Sequence, residues 1–249
     1  MTAPVLLGSR LAQRFGSRTI YRDVSFAVQP GEVFVILGGS GCGKSTLLRQ
    51  AIGLLPPAEG QVELFGENLY SVSSETRAAL LRRVGVMFQS GALFGSMTLL
   101  ENVMLPLEIH TGLPPAARRD VARLKLGLVG LADAAGRLPA EISGGMAKRA
   151  AIARALALDP PLLFLDEPSA GLDPVTSAGL DRLILDLRRD LGLTFVVVTH
   201  ELASILAIAD RCLMLDRAAQ GVIATGDPRR LREESEVPMV RAFFRREAA

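Results

Sequence analysis

The stretch VFVILGGSGCGKSTLLRQAIG, Val33 to Gly53, decides the fold. It opens on an apolar run that reads as a buried strand (Val33–Leu37), passes through a glycine-rich loop, and continues as an amphipathic segment that reads as a helix from Lys44 to Ile52. The loop, GGSGCGKST, fits the phosphate-binding pattern G-x-x-x-x-G-K-[ST], with Gly38, Gly43, Lys44 and Ser45 in the defining places. Glycines let the backbone bend until its N–H groups face phosphate oxygens, Lys44 neutralises the terminal phosphates, and the Ser45 hydroxyl is placed to ligate Mg²⁺. The whole cradle, Gly38, Gly39, Ser40, Gly41, Cys42, Gly43, Lys44, Ser45 and Thr46, is therefore expected to hold the phosphates of ATP. Cys42 lies beside a helix N-terminus, which favours a lowered thiol pKa; inert packing is the simpler expectation.

Working outward, strand-like runs alternate with helical stretches, the pattern of an α/β fold with a largely parallel sheet. Further strands are expected at Val84–Phe88, Leu162–Asp166, Thr194–Thr199 and Cys212–Asp216, and helices at Arg118–Val129, Ser143–Leu158 and Thr176–Leu191. The interval from about Leu99 to Leu158 is almost purely helical and too long for one crossover, so a helical subdomain over about 91–159 is expected, inserted in a core of about 1–90 and 160–230. Alternation in VSFAVQPGE and GQVELFGENL predicts short antiparallel strands near the start. The last residues, about 236–249, read as an arginine-rich tail with apolar Val240, Phe243 and Phe244.

Bulk composition narrows the function. The chain has 249 residues, 49% hydrophobic, with 28 basic and 26 acidic residues and a formal charge of +2, so it lacks the electrostatic footprint of a nucleic-acid binder and no nucleic-acid partner is expected. Its apolar runs fall far short of the roughly 18 residues of a membrane span. MTAPVLLGSRLAQRF has no basic segment followed by a sustained apolar one, so a cytoplasmic location is expected. The two cysteines, Cys42 and Cys212, form no CxxC or zinc pattern.

Four further places carry chemistry. LLFLDEP (Leu162–Pro168) is an apolar strand ending in two carboxylates: Asp166 is placed for Mg²⁺, and Glu167 for the water that attacks a γ-phosphate, as general base. By itself such a pair could be a solvated turn; the phosphate loop is what gives it meaning. His200 ends the strand TFVVVT and Gln89 follows VGVMF. EISGGMAKRAAIARAL (Glu141–Leu156) opens a second helix with a serine and two glycines, a second N-terminus suited to an anion.

Together these motifs resemble the ATP-binding subunits of ABC transporters over essentially the whole chain. The resemblance implies a P-loop NTPase of ABC ATPase type: a single domain over residues 1–249, with a RecA-like, mostly parallel core, an N-terminal antiparallel β subdomain and the inserted helical subdomain. It implies that Gln89 is the Q-loop glutamine, touching Mg²⁺ and facing the membrane partner, and that Ile142–Met146 (ISGGM) matches LSGGQ. Ser169–Asp173 (SAGLD) then matches the D-loop, His200 the switch histidine, and Phe15 in QRFGSR the aromatic residue that stacks on adenine. In this family two ATPase domains face head to tail, so Ser143, Gly144, Gly145, Met146 and Asp173 are expected to serve ATP bound by the neighbour. The resemblance thus implies a homodimer with ATP and Mg²⁺, driving two integral-membrane permease subunits.

Phe88–Pro114, with its QSGALF run, and Met146 in place of the usual glutamine look like the ATPases of MCE-type lipid transporters, including the Mla phospholipid system. That likeness implies a periplasmic MCE-type lipid-binding subunit reached through the permease, and a place on the cytoplasmic face of a bacterial inner membrane. SGALFGSM either forms a socket for a permease helix or packs Leu93, Phe94 and Met97 inside the helical subdomain. The tail resembles the Mla-type extension that reaches over the other ATPase; a clasp and a loose tail both remain open. An ABC transporter ATPase for another hydrophobic cargo and a soluble ABC ATPase are the alternatives.

Overall fold

The computed structural model describes residues 3–246. In chain order its elements are β1 (Leu6–Phe15), β2 (Arg18–Val28), β3 (Val33–Gly38), α1 (Lys44–Ala51), β4 (Glu59–Leu64), β5 (Glu67–Asn68), α2 (Ser74–Arg82), β6 (Val84–Met87), α3 (Leu99–His110), α4 (Pro115–Leu128), α5 (Gly144–Ala155), β7 (Leu162–Asp166), α6 (Pro174–Leu191), β8 (Thr194–Val198), α7 (Leu202–Ile208), β9 (Arg211–Asp216), β10 (Gly221–Gly226), α8 (Pro228–Glu234) and α9 (Pro238–Arg245). They fall into two compact units: the described residues up to Leu81 together with those from Thr194 onward, and Arg82–Leu193.

In the first unit β3 lies between β8 and β9 and runs parallel to both, with β10 antiparallel on the far side of β9. A strand paired on both edges and covered on both faces must be apolar throughout, and every residue of β3 is buried. A separate antiparallel sheet, ordered β2-β1-β4-β5, supplies the expected N-terminal β layer. It is tied to α1 by a buried polar chain: the Tyr21 hydroxyl donates to Gln50 Oε1 at 2.7 Å, and Gln50 Nε2 donates to Gln13 Oε1 at 2.9 Å. Gln50 is fully buried, so losing either partner would leave an unsatisfied amide, a cost of about 1–3 kcal/mol.

The second unit holds the parallel pair β6 and β7 and the helices α3 to α6. α3 starts on a capping box between Thr98 and Glu101, and α6 starts on the side chain of Asp173 and stops at Gly192, whose φ is 66°. The region read as helical is built from α3, α4 and α5 with two short 3₁₀ turns.

Boundaries shifted where prolines and caps act. α4 begins at Pro115 rather than Arg118, because proline suits the first helical position; α5 ends at Ala155 rather than Leu158, and soon after it Asp159 takes a left-handed φ of 51° while its carboxylate pairs with the buried Lys125 ammonium. The tail is not loose: α9 is an amphipathic helix packed on its own chain, with Val240 and Phe244 buried. The expected tail residues 247–249 lie outside the described ones. Phe244→Ala should therefore lower the unfolding free energy by about 3 kcal/mol in urea titration, the usual loss for a buried ring; a tail with no packing role would leave the midpoint where it was.

Candidate functional site

The functional residues gather in two groups, one in each unit. In the first, β3 delivers the chain into the loop at Gly38, whose φ of 144° suits only glycine. A Cβ there would come within 2.2 Å of the Leu215 carbonyl oxygen, and one on Gly43 (φ 108°) within 2.7 Å of the Tyr21 ring. Both glycines are thus demanded twice, by dihedral and by space. α1 then begins at Lys44 with no side-chain cap and no acidic residue in its first turn. Its leading N–H groups are left for a ligand, and the helix dipole favours an anionic one.

Lys44 Nζ donates to the carbonyls of Gly38 at 2.8 Å and Gly39 at 3.0 Å, so the ammonium stands across the loop it belongs to. The loop borders a cavity of about 340 Å³ lined by Gly41, Gly43, Lys44, Ser45 and Thr46 on one side and Phe15, Arg18 and Ile20 on the other. Phe15 is half exposed, an apolar ring beside a cationic loop. Arg18 and Ile20 escaped the sequence reading, although the signal was there: the two-residue turn Gly16-Ser17 places Arg18 directly opposite Phe15. β3 and β8 are in register at Ile36 and Val198, so Gly38 and His200, two residues on in each strand, leave the same edge of the sheet. His200 is exposed there.

Of the two readings of Cys42, inert packing is the one the structure supports. Cys42 is buried, and burial pushes its thiol above the ordinary range, outweighing the lowering effect of Lys44. The expected activation by the helix N-terminus fails because the sulfur points inward: its Sγ lies 2.8 Å from where a Cβ on Gly38 would sit. Cys212 is likewise buried, its thiol pushed up to about 12.

In the second unit β6 and β7 are in register at Met87 and Leu165, which brings Gln89 and Glu167 out side by side. Gln89 is exposed and Asp166 half-buried, whereas Glu167 is buried and held at a left-handed φ of 46°, the kind of strain that collects at functional carboxylates. Lys148 of α5, itself buried, donates through Nζ to the backbone carbonyls of both Gln89 and Glu167, the latter at 3.3 Å. One ammonium therefore fixes both loops. A basic residue on a helix gave no hint of this, since a charge at that spacing reads as solvated.

The loop after Gln89 is similarly anchored from below. Fully buried Asn102 accepts from the Phe94 N–H at 2.8 Å and donates to the carbonyls of Phe94, Met97 and Thr98, and Arg154 donates to the carbonyls of Gly91 and Ala92. With its backbone so fixed, the loop partly buries Leu93 and Met97 yet leaves half of Phe94 exposed. The packing expectation for SGALFGSM thus holds in part for Leu93 and Met97 and not for Phe94.

α5 begins on Ser143, whose Oγ accepts from Met146 N–H at 3.3 Å; Ser143 and Gly144 are exposed, and no acid lies in the first turn. Asp173 caps α6, accepting from the N–H groups of Val175 at 3.0 Å and Thr176 at 3.1 Å, and the Thr176 hydroxyl holds its carboxyl below the usual carboxylate range.

Comparison with known proteins agrees with this geometry. The ABC transporter family matches residues 21–170. The chain is 42% identical over 229 residues to the intermembrane phospholipid transport system ATP-binding protein MlaF of Escherichia coli, covering 92% of this chain and 84% of that protein. It is also 42% identical over 234 residues to the probable ribonucleotide transport ATP-binding protein mkl of Mycobacterium tuberculosis, covering 94% of this chain but only 64% of that longer relative. Among solved structures, cbiO1 of Clostridium perfringens, part of an ABC transporter complex, superposes with a TM-score of 0.85 at 27% identity, covering 94% of this chain and 93% of that one. The dimeric bacterial ABC transporter cassette MJ0796 follows at 0.79 and 30%, covering 89% and 98%.

The buried thiols yield a direct check. Native protein at neutral pH should react with iodoacetamide far more slowly than the same protein unfolded, at both cysteines. Fast native labelling of Cys42 that ATP suppresses would show the sulfur to be accessible after all.

Proposed function

The chain belongs to the ABC transporter family, and from that footing we propose that it is the ATP-binding and ATP-hydrolysing subunit of a transporter that moves phospholipid across a bacterial envelope. The observation that carries the nucleotide reading is the uncapped start of α1 beside Lys44, opening on a cavity walled by Phe15. Its volume, about 340 Å³, is of the size that small-molecule sites have. The N–H groups and ammonium suit phosphates, and the half-exposed ring suits a base. The resemblance of the E. coli relative over 84% of its length supports phospholipid as cargo.

Mg²⁺ fits the donors at hand. Ser45 offers a hydroxyl, Asp166 a carboxylate and Gln89 an amide oxygen, all hard ligands, and among the described residues no group of three or more His, Cys, Asp or Glu gathers to hold a metal by itself. Mg²⁺ would be held by these side chains together with substrate phosphates and water, and would supply neutralisation of the phosphate charge. Glu167 orients and deprotonates the attacking water, and Lys44 and the loop N–H groups hold the phosphates. His200 contacts the γ-phosphate. Ser143, Gly144, Gly145, Met146 and Asp173 act on the nucleotide of a second copy of the chain, so that two identical chains complete two sites; the dimeric MJ0796 cassette supports that arrangement. ATP binding closes the pair and hydrolysis reopens it.

Among the described residues no helix is long and apolar enough to cross a membrane. Two permease subunits dock on the Phe94 loop at the cytoplasmic face of the inner membrane, and an MCE-type lipid-binding subunit lies beyond them.

Two experiments test this. Lys44→Ala should abolish binding of a fluorescent ATP analogue, whereas Glu167→Gln should bind it normally while phosphate release falls by about 10² or more; equal turnover by Glu167→Gln and wild type would remove the assigned base. When the chain is produced with its permease subunits, it should be recovered from membranes, and Phe94→Asp should shift it to the soluble fraction by desolvating a charge against an apolar partner. Recovery from membranes without any permease would contradict the docking assignment.

A further inference from the structure

Gly144 and Gly145 look interchangeable in the sequence, but the structure gives them different reasons to lack a side chain. Neither has a positive φ, so backbone conformation demands glycine at neither. A Cβ built on Gly144 would meet nothing nearer than Leu172 Cδ2 at 3.7 Å, an ordinary contact. A Cβ on Gly145 would lie 2.4 Å from Thr176 Cγ2, closer than real atoms approach. Without that one methyl, the next atom would be Thr176 Cβ at 3.9 Å. The entire restriction at Gly145 therefore comes from a single methyl group on α6.

That methyl has little freedom. Thr176 donates both its N–H and its hydroxyl to the Asp173 carboxylate, and a β-branched side chain whose Oγ1 is held has its Cγ2 direction fixed with it. Asp173 closes the SAGLD segment and caps α6, while Gly145 sits in the first turn of α5. The contact therefore joins the start of one helix to the start of the other.

We propose that Thr176 is a positioning residue for the tip of α5: its methyl, aimed by Asp173, seats on the bare Cα of Gly145 and sets where Ser143 and Gly144 present their N–H groups. The proposal rests on the reading that this tip acts on ATP held by a second copy of the chain. A Cβ on Gly145 could be accommodated only by moving the tip or Thr176 by about 1 Å, and displacements of that size cost up to about 10²-fold in turnover where donors must meet a phosphate. The bond to ATP on the phosphate loop of the same chain would be untouched, so affinity and turnover should separate.

A double-substitution cycle tests this on the full chain assembled with its permease, with ATP turnover, ATP affinity and the thermal midpoint measured for each variant. Gly145→Ala should reduce kcat by about tenfold or more with ATP affinity unchanged. Adding Thr176→Ser, which keeps the hydroxyl bonded to Asp173 and deletes only the methyl, should restore turnover to the level of Thr176→Ser alone. Gly144→Ala should lower turnover without moving the midpoint, and Thr176→Ser should not rescue it. If the Gly145→Ala, Thr176→Ser double variant recovers its midpoint but stays as slow as Gly145→Ala, or if Gly145→Ala is as fast as wild type, the positioning role is overturned. A wild-type assembly that turns over no ATP would instead overturn the ATPase reading, and the role assigned to the contact with it.

Discussion

Among the described residues, α1 and α5 begin at glycines with more N–H groups than their own caps satisfy, and that constraint organises what surrounds them. α1 has no side-chain cap at all, and α5 has one serine hydroxyl for several donors; neither carries an acid in its first turn. Side-chain caps close α3 through Thr98 and Glu101, α6 through Asp173 and α8 through Asp227, whereas α4, α7 and α9 also begin without one. What sets α1 and α5 apart is glycine at the start: Gly43 precedes α1, and Gly144 opens α5 with room beside it. Orphan donors converging at a helix terminus are stabilised by an anion more than by anything else a protein commonly meets. The rest of the architecture serves to aim them: β3 brings the loop to α1, and the first turn of α6 braces α5.

The aiming relies on donors, buried in Lys148 and Asn102 and half-buried in Arg154, that reach backbone rather than side chains. Lys148 ties the Gln89 and Glu167 carbonyls, Arg154 those of Gly91 and Ala92, and Asn102 those of Phe94, Met97 and Thr98. Irregular loops carry many unpaired carbonyls, and burying them unpaired would cost about 1–3 kcal/mol each. Long cationic side chains solve this without imposing strand or helix geometry on the loop. They also make α5 common to the loop after β6 and to the turn after β7, so a displacement of that helix is felt at Gln89 and Glu167 together.

Much of this was legible before any coordinates. β3, β7, β8 and β9 were readable because parallel strands are buried on both faces and appear as continuous apolar runs, and β6 because its residues are apolar although it is buried on one face only. β1 was not. Its inward residues are Leu6 and Gly8, then Leu11 and Gln13, and the parity changes where Arg10 adopts a φ of 47° between them; a bulge breaks the alternation that would have announced the strand. Short α8 and α9 begin on prolines, which suggest loops until their position at the first turn is known. Among the candidate site residues, Phe15, Gln89 and His200 took their expected roles only from the family resemblance, whereas the phosphate loop and the paired carboxylates were legible from spacing. Arg18, Lys148 and Asn102 were not, because their roles are set by what the fold places opposite them. The two readings of Cys42 could not be separated for a related reason: sequence gives its distance along the chain from a helix start but not the direction in which its sulfur points.

The difference between Gly144 and Gly145 carries the same point to its limit. A motif records that glycine stands at both positions, and ligand approach is sufficient to explain each. Only the three-dimensional arrangement separates an exposed glycine with room beside it from a buried one occupied by a neighbour's methyl. If both were required by the nucleotide, Thr176 would be free to be any residue that leaves Asp173 its cap. Because Gly145 is filled from within its own chain, the identity at Thr176 and that at Gly145 are one choice, and a larger side chain on either demands a smaller one on the other.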